Sequence, residues 1–141
     1  FLKDMVDRKR GKILNVASIA SDLPHPLLSV YAGTKSYILS FSEALRNEVK
    51  DIGITVTALQ PGPTDTDFFA KAGMENSKIV KETKLLDPAE VARIGYDALM
   101  KGDDKVVTGL KYKTQSAMSN VTPDPMLAAQ MRKQLEESDE G

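Results

Sequence analysis

The sequence has 141 residues, enough for one modest domain. It is 41% hydrophobic and 28% charged with a net charge of −1; these globular values argue against disorder and give no reason to expect nucleic acid or an anionic membrane as a partner. It has no cysteine, which excludes a disulfide framework and a thiolate metal site and fits a reducing cytoplasm, and no apolar run approaches the ~20 residues of a membrane helix.

Taken in chain order, Phe1 to Arg10 reads as the last turns of a helix. Phe1, Leu2, Met5 and Val6 form an apolar stripe, basic residues gather at its end, and Gly11 is expected to stop it. A chain that opens inside a helix is expected to lack something upstream. Lys12 to Ala17 suits a strand buried on both faces, as in a parallel sheet. Ser21 to Pro26, with Asp22, Pro24 and Pro26, is a loop. A helix is expected from Val30 to about Asp51, with Ile38, Phe41, Leu45 and Val49 on its buried side and Gly53 at its end. Ile54 to Leu59 is a second, β-branched strand, and the order strand, helix, strand makes a βαβ unit.

Pro61, Gly62 and Pro63 end that strand sharply. Thr64 to Leu86 is less regular, with a short helix expected near Asp67 to Lys71, and reads as a lid over a site. Asp87, Pro88 and Glu90 carry the start signals of a helix whose buried residues are Val91, Ile94, Ala98 and Leu99 and which Gly102 closes. Lys105 to Leu110 is a third strand. The remainder, 111–141, contains one expected helix, Pro125 to Leu135, which Asp124 would cap, and then an acidic tail.

The chemistry centres on Tyr31 and Lys35. Four residues apart on a helix, they share one face, and a cation near a phenol favours the phenolate. A tyrosine tuned in this way can give or take a proton. Ser18, thirteen residues before Tyr31, stands at the end of the first strand, where its hydroxyl could hold a carbonyl oxygen beside the phenol. In open α/β sheets ligands bind beyond the carboxyl ends of the strands. Ser18 and the Pro61-Gly62 turn both lie there.

Ser18, Tyr31 and Lys35, the strand Gly11 to Ser18 and the turn Pro61 to Thr66 together resemble the short-chain dehydrogenase/reductase family, whose pattern is a serine, a tyrosine about thirteen residues on, a lysine four further, and then Pro-Gly-x-x-x-Thr. The resemblance spans about Phe1 to Leu110. It implies an α/β fold, the C-terminal portion of a doubly wound parallel-sheet Rossmann fold, with 1–110 as the C-terminal half of a dehydrogenase domain and 111–141 as an extension. It implies an oxidoreductase that interconverts a carbonyl and an alcohol with NAD or NADP. Tyr31 would be the general acid in reduction and the base in oxidation. Lys35 would favour the phenolate and bind the nicotinamide ribose, and Ser18 would hold the substrate oxygen. Pro61, Gly62, Thr64 and Thr66 would carry the nicotinamide end of the cofactor. The partner would be a small carbonyl or alcohol compound, and the family's habit of pairing through the catalytic helix implies a homodimer or homotetramer.

The family's glycine-rich turn, Thr-Gly-x-x-x-Gly-x-Gly, has no counterpart here: all nine glycines are isolated. The alternative is therefore an inactive fragment or a non-catalytic binding protein that keeps the fold. A third reading is another reaction on the same scaffold, such as epimerisation or dehydration. Ser21 and Ser29 compete with Ser18 but lie in the loop. Tyr37 faces away from Lys35 and is expected to pack. His25, between two prolines, reads as an exposed structural residue, with the lining of a substrate mouth as the less favoured alternative. Asp65 and Asp67 read as turn and capping residues rather than metal ligands. Gly33 is expected to have a packing reason. The substrate pocket is expected to draw on Leu23, Leu27, Leu28, Phe68, Phe69 and Met74.

Overall fold

A computed structural model describes residues 1–119 and 122–136. The order is α1 (Leu2–Asp7), β1 (Gly11–Val16), a 3-10 turn (Ile19–Ser21), α2 (Ser29–Val49) running into a second 3-10 turn (Lys50–Ile52), β2 (Ile54–Gln60), α3 (Phe68–Lys71), α4 (Lys78–Glu82), α5 (Pro88–Lys101), β3 (Lys105–Val107), α6 (Leu110–Ser119) and α7 (Asp124–Leu135). The three strands form one parallel sheet in the order β1-β2-β3. Gly11 lies opposite Ile54, Val16 opposite Leu59, and Ala58 opposite Lys105.

The alternation along β2 explains the layering. Ile54 and Val56 pack with Val49 of α2, and Ala58 with Leu39 of the same helix. The intervening residues face the other way, where Leu59 touches Gly95 of α5 and Thr55 touches Gly102 at that helix's end. One helix therefore covers each face of the sheet, as side chains alternating across a strand require. This is the doubly wound α/β arrangement expected from the sequence. Ile54 and Val56 are almost fully buried, and each such side chain contributes roughly 1.5–3 kcal/mol.

Several local expectations change. β1 is only half-buried, because α2 lies chiefly over β2, the strand covered on both faces; among the described residues β1 pairs with β2 alone. α1 ends at Asp7, and Lys9 makes the left-handed turn, at φ 52°, that Gly11 was expected to provide; Gly11 instead starts β1. Phe41 is exposed and stacks on Tyr37 at 6.1 Å, while Leu39 and Ser42 are the buried residues of that part of α2. Tyr37 does face away from Lys35, but its packing is this surface stack. Nothing lies within 4 Å of a Cβ built on Gly33, so no packing reason supports it.

Gly53 (φ 79°) and Gly102 (φ 78°) close their helices as expected. Asp87 caps α5 by accepting from the Ala89 amide at 2.9 Å. Asp67 makes no capping bond and instead faces Lys71 at 3.7 Å. The third strand stops at Val107, and α6 follows where a strand end was expected. In α7 Pro123 takes the cap position and Asp124 is the first helical residue, with no side-chain cap. The acidic tail falls on 137–141, outside the described residues.

Candidate functional site

Beyond the carboxyl ends of β1 and β2 the two chains stay zipped together. The Ala17 amide donates to the Leu59 carbonyl at 2.8 Å and the Ile19 amide to the Pro61 carbonyl at 3.1 Å. This brings the Ser18 turn alongside the Pro61-Gly62 turn. Ser18 opens the first 3-10 turn as its cap: its Oγ accepts from the Ala20 amide at 3.1 Å, and its own amide donates to Ser21 Oγ at 3.3 Å. Accepting that bond leaves the hydroxyl hydrogen of Ser18 free to donate.

A cleft of about 400 Å³ lies over this edge. Ser18, Tyr31, Lys35, Pro61, Gly62, Thr64 and Thr66 all line it. The sequence-picked residues are therefore brought together. Ser21 and Ser29 do not line this cleft; they face a separate, shallower groove on the outer side of the loop.

Tyr31 and Lys35 sit in the first two turns of α2 and share a face, as their spacing requires. Lys35 Nζ lies 5.7 Å from the Tyr31 ring centroid and donates to the Val16 carbonyl at 2.9 Å. Partial burial pulls its pKa below the ordinary lysine value. The Tyr31 ring packs against Phe68 at 5.1 Å, and Phe68 meets Phe69 edge-on at 5.3 Å. The segment from Thr64 to Leu86 thus does lie over Tyr31. It is closed at its base, where the Asp65 amide donates to the Leu86 carbonyl at 3.0 Å and the Leu86 amide to the Pro63 carbonyl at 2.9 Å.

The Pro61–Thr66 turn is fixed from behind. The Gly62 amide donates to Thr108 Oγ1 at 3.1 Å, and a Cβ at Gly62 would come within 2.5 Å of the Tyr112 ring. Thr64 Oγ1 donates to the Gly62 carbonyl at 2.8 Å, while Thr66 Oγ1 accepts from the Phe68 amide at 3.4 Å. Below the cleft, Gln60 is fully buried. Its Nε2 donates to the Ser18 carbonyl at 3.2 Å and to Asp22 Oδ2 at 3.0 Å.

Of the expected pocket residues, Leu28, Phe68 and Phe69 line the cleft, whereas Leu23, Leu27 and Met74 do not. Leu23 packs instead with Leu127 and Met131 of α7, and Leu27 is exposed. Ile79 of α4, within the segment expected to form a lid, and Leu135 of α7, which no sequence signal placed at the site, join the lining. His25 is buried, against the expectation of an exposed residue, and lines both this cleft and the outer groove of the loop. Its Nδ1 bonds the Leu23 carbonyl at 2.9 Å, and burial lowers its pKa despite that bond.

The family profile described as short chain dehydrogenase matches residues 1–77. The chain is 36% identical over 113 residues to an uncharacterized short-chain type dehydrogenase/reductase of Sinorhizobium fredii, covering 78% of this chain and 46% of that protein. A 3-oxoacyl-[acyl-carrier protein] reductase with bound NAD from Brucella melitensis superposes with a TM-score of 0.58 at 28% identity, over 76% of this chain and 42% of that one. A short-chain dehydrogenase from Sphingobium yanoikuyae in complex with NADPH shares the fold, with a TM-score of 0.69 at 22% identity over 86% and 50% of the two chains. The chain thus spans about half the length of these proteins. With the profile covering the strand, the serine turn, the helix of Tyr31 and Lys35 and the Pro-Gly turn, the chain belongs to the short-chain dehydrogenase family.

Proposed function

We propose that the protein is an NAD(P)(H)-dependent oxidoreductase that interconverts a carbonyl and an alcohol, with Tyr31 as its general acid/base. The observation that carries this reading is the gathering of Ser18, Tyr31 and Lys35 on one largely apolar cleft at the carboxyl edge of a parallel sheet. The relative with bound NAD, at 28% identity, supports the choice of cofactor. The donor set fits the nicotinamide end of such a cofactor. Of the three ammonium donors on Lys35 one is committed to Val16, which leaves two for ribose hydroxyls. The Thr66 hydroxyl, which accepts from Phe68, keeps its hydrogen for a carboxamide. Pro61, Gly62 and Thr64 supply the wall against which the ring would lie.

A reduced nicotinamide supplies a hydride to the carbonyl carbon of the substrate. As charge grows on the carbonyl oxygen, the free hydrogen of Ser18 Oγ donates to it, and Tyr31 Oη gives up its proton to form the alcohol. In oxidation the Tyr31 oxygen takes that proton back. Phe68 against the Tyr31 ring excludes water from one side of the phenol.

The division into a dehydrogenase half, 1–110, and an extension, 111–141, is part of the proposal. The extension would then cover the cleft through Leu135 and buttress Gly62 through Tyr112. Pairing of two copies through α2, whose outer face carries Tyr37 and Phe41, and a cytoplasmic setting belong to it as well.

The test follows NADH and NADPH oxidation by the full-length protein against a panel of aliphatic and aromatic ketones and aldehydes. Turnover of at least one carbonyl, lost by a factor of roughly 100 or more in Tyr31→Phe with cofactor binding retained, is the expected result. No oxidation with any carbonyl, or a Tyr31→Phe enzyme as fast as the parent, overturns the reading.

A further inference from the structure

His25 has no role in the chemistry above, yet the loop holds it against the cleft by unusual means. Pro24 and Pro26 flank it and fix their own φ angles. The Leu28 amide closes a turn on the His25 carbonyl at 3.1 Å, and Leu27 in that turn has φ 69°. A positive φ at the third position after a proline is the geometry of a type II turn, which favours glycine there. In a leucine it costs about 1–2 kcal/mol. The Leu27 side chain is 65% exposed, so it has no core contact that compensates. Strain of this kind persists where the surroundings over-determine a conformation, often beside a ligand. The turn delivers two things: the start of α2, which carries Tyr31, and the His25 ring.

The ring's orientation fixes its chemistry. The Leu23 carbonyl can only accept, so Nδ1 carries the hydrogen of that 2.9 Å bond. In the neutral imidazole Nε2 is then an acceptor, and it has no hydrogen-bond partner among the described residues. Burial lowers the pKa and keeps the ring neutral. On one side it borders the apolar cleft, with Leu28, Phe68, Phe69, Ile79 and Leu135 in its wall, and on the other the outer groove beside Ser29.

We propose that His25 binds the substrate, its Nε2 accepting a hydrogen bond from a hydroxyl group separate from the reacting carbonyl, so that the enzyme selects apolar carbonyl compounds that also bear a hydroxyl. This rests on the reductase reading given above. An acceptor in an apolar wall favours a neutral donor, and it discriminates against analogues that leave it unpaired.

The experiment has two arms on the full-length protein with cofactor. In the first, kcat/KM is measured for 6-hydroxyhexan-2-one and for heptan-2-one, with the parent enzyme, His25→Phe and His25→Gln. The preference for the hydroxyketone is expected to fall about tenfold in His25→Phe and to be largely kept in His25→Gln, whose amide oxygen can accept. In the second, the His25 signals, assigned by their absence from His25→Gln, are read by nitrogen NMR in the parent enzyme while 1,6-hexanediol or heptan-2-one is added. The diol is expected to shift the unprotonated Nε2 signal and the ketone, which has no hydroxyl to donate, to leave it in place. An unchanged preference in a folded His25→Phe overturns the proposal, as does an Nε2 that is protonated or indifferent to the diol. Reduction of ketones with no response at His25 sinks this proposal alone; absence of any carbonyl reduction by the parent enzyme sinks the reductase reading and this one with it.

Discussion

The Lys35 ammonium donates to the Val16 carbonyl at 2.9 Å, and among the described residues it shares no hydrogen bond with Tyr31. Lys35 thereby ties α2 to the end of edge strand β1, while its charge stays 5.7 Å from the phenol ring. Partial burial disfavours that charge and lowers its pKa. The folded chain then releases this proton at a lower pH than the unfolded chain. The unfolded chain binds more protons between those two values, so this group's contribution to stability rises with pH through that window. Near neutral pH the buried charge is a cost. Lys35→Met is therefore expected to lower kcat/KM by roughly 100-fold or more through loss of the ammonium at the site, while the midpoint of thermal unfolding holds or rises. A parallel loss of activity and stability would make Lys35 a structural tie and nothing more.

How much of this site could be read from the sequence follows from how local its causes are. The spacing of Tyr31 and Lys35 on one helix face, the caps at Asp87, Gly53 and Gly102, and the strand pattern of Ile54 to Leu59 are set by neighbouring residues, and the fold has them all. β1 misled because its apolar residues suit a covered strand, whereas coverage depends on where the helices come to lie, and α2 lies chiefly over β2. Phe41 misled because the stripe through Ile38, Leu45 and Val49 has two flanks, and the buried one carries Leu39 and Ser42, whereas Phe41, about 200° around the helix from Leu39, faces out. Ile79, Leu135 and Tyr112 reach the site from segments distant in sequence. α6 and α7 have mixed composition and are held by contacts such as Leu23 with Leu127 and Met131. Gln60 and His25 illustrate the same limit: one is buried beneath Ser18 and the other is turned inward by tertiary contacts that no local pattern announces.

Ser18 and Ser21 form a reciprocal cap, which allows stability and chemistry to be separated. Ser18→Ala removes both the cap oxygen and the donor aimed at the substrate. It is expected to cost ~1 kcal/mol of stability and roughly 100-fold or more in kcat. Ser21→Ala removes only the bond from the Ser18 amide, so a stability loss of similar size should come with turnover largely intact. Urea unfolding and steady-state kinetics on the two variants check this; equal losses of activity would show that the turn's shape, and not the Ser18 hydroxyl, matters.

Gly33 and Gly95 should respond in opposite ways to the same substitution. Both are inside helices, where alanine is favoured by about 1 kcal/mol. At Gly33 an added methyl meets nothing within 4 Å, so Gly33→Ala is expected to stabilise by up to that amount. At Gly95 it would lie 2.8 Å from Leu59 Cδ2, between α5 and β2. Leu59 is itself buried at the end of the central strand, so Gly95→Ala should destabilise by about 1–3 kcal/mol. Denaturant midpoints of the two variants decide it. A destabilised Gly33→Ala would mean that another surface covers that face of α2 in solution.

His25 predicts a pH dependence of stability. Burial lowers its pKa from 6.5, and the Leu23 carbonyl only partly opposes the shift. The unfolded chain takes up this proton near 6.5, and the folded chain only at lower pH. Between the two values the unfolded state binds more protons, so stability falls as the pH drops below 6.5. Above 6.5 both states hold a neutral ring and the group contributes no slope. Aspartate and glutamate titrate mainly below about pH 5, so the window just under 6.5 belongs to histidine, and comparison with His25→Gln isolates His25. Urea unfolding at pH 7.5 and at pH 5.5 should show the parent protein losing more stability on acidification than His25→Gln. Parallel losses in the two proteins would mean that the ring is as open to protonation when folded as when unfolded, and that it is not held against the cleft.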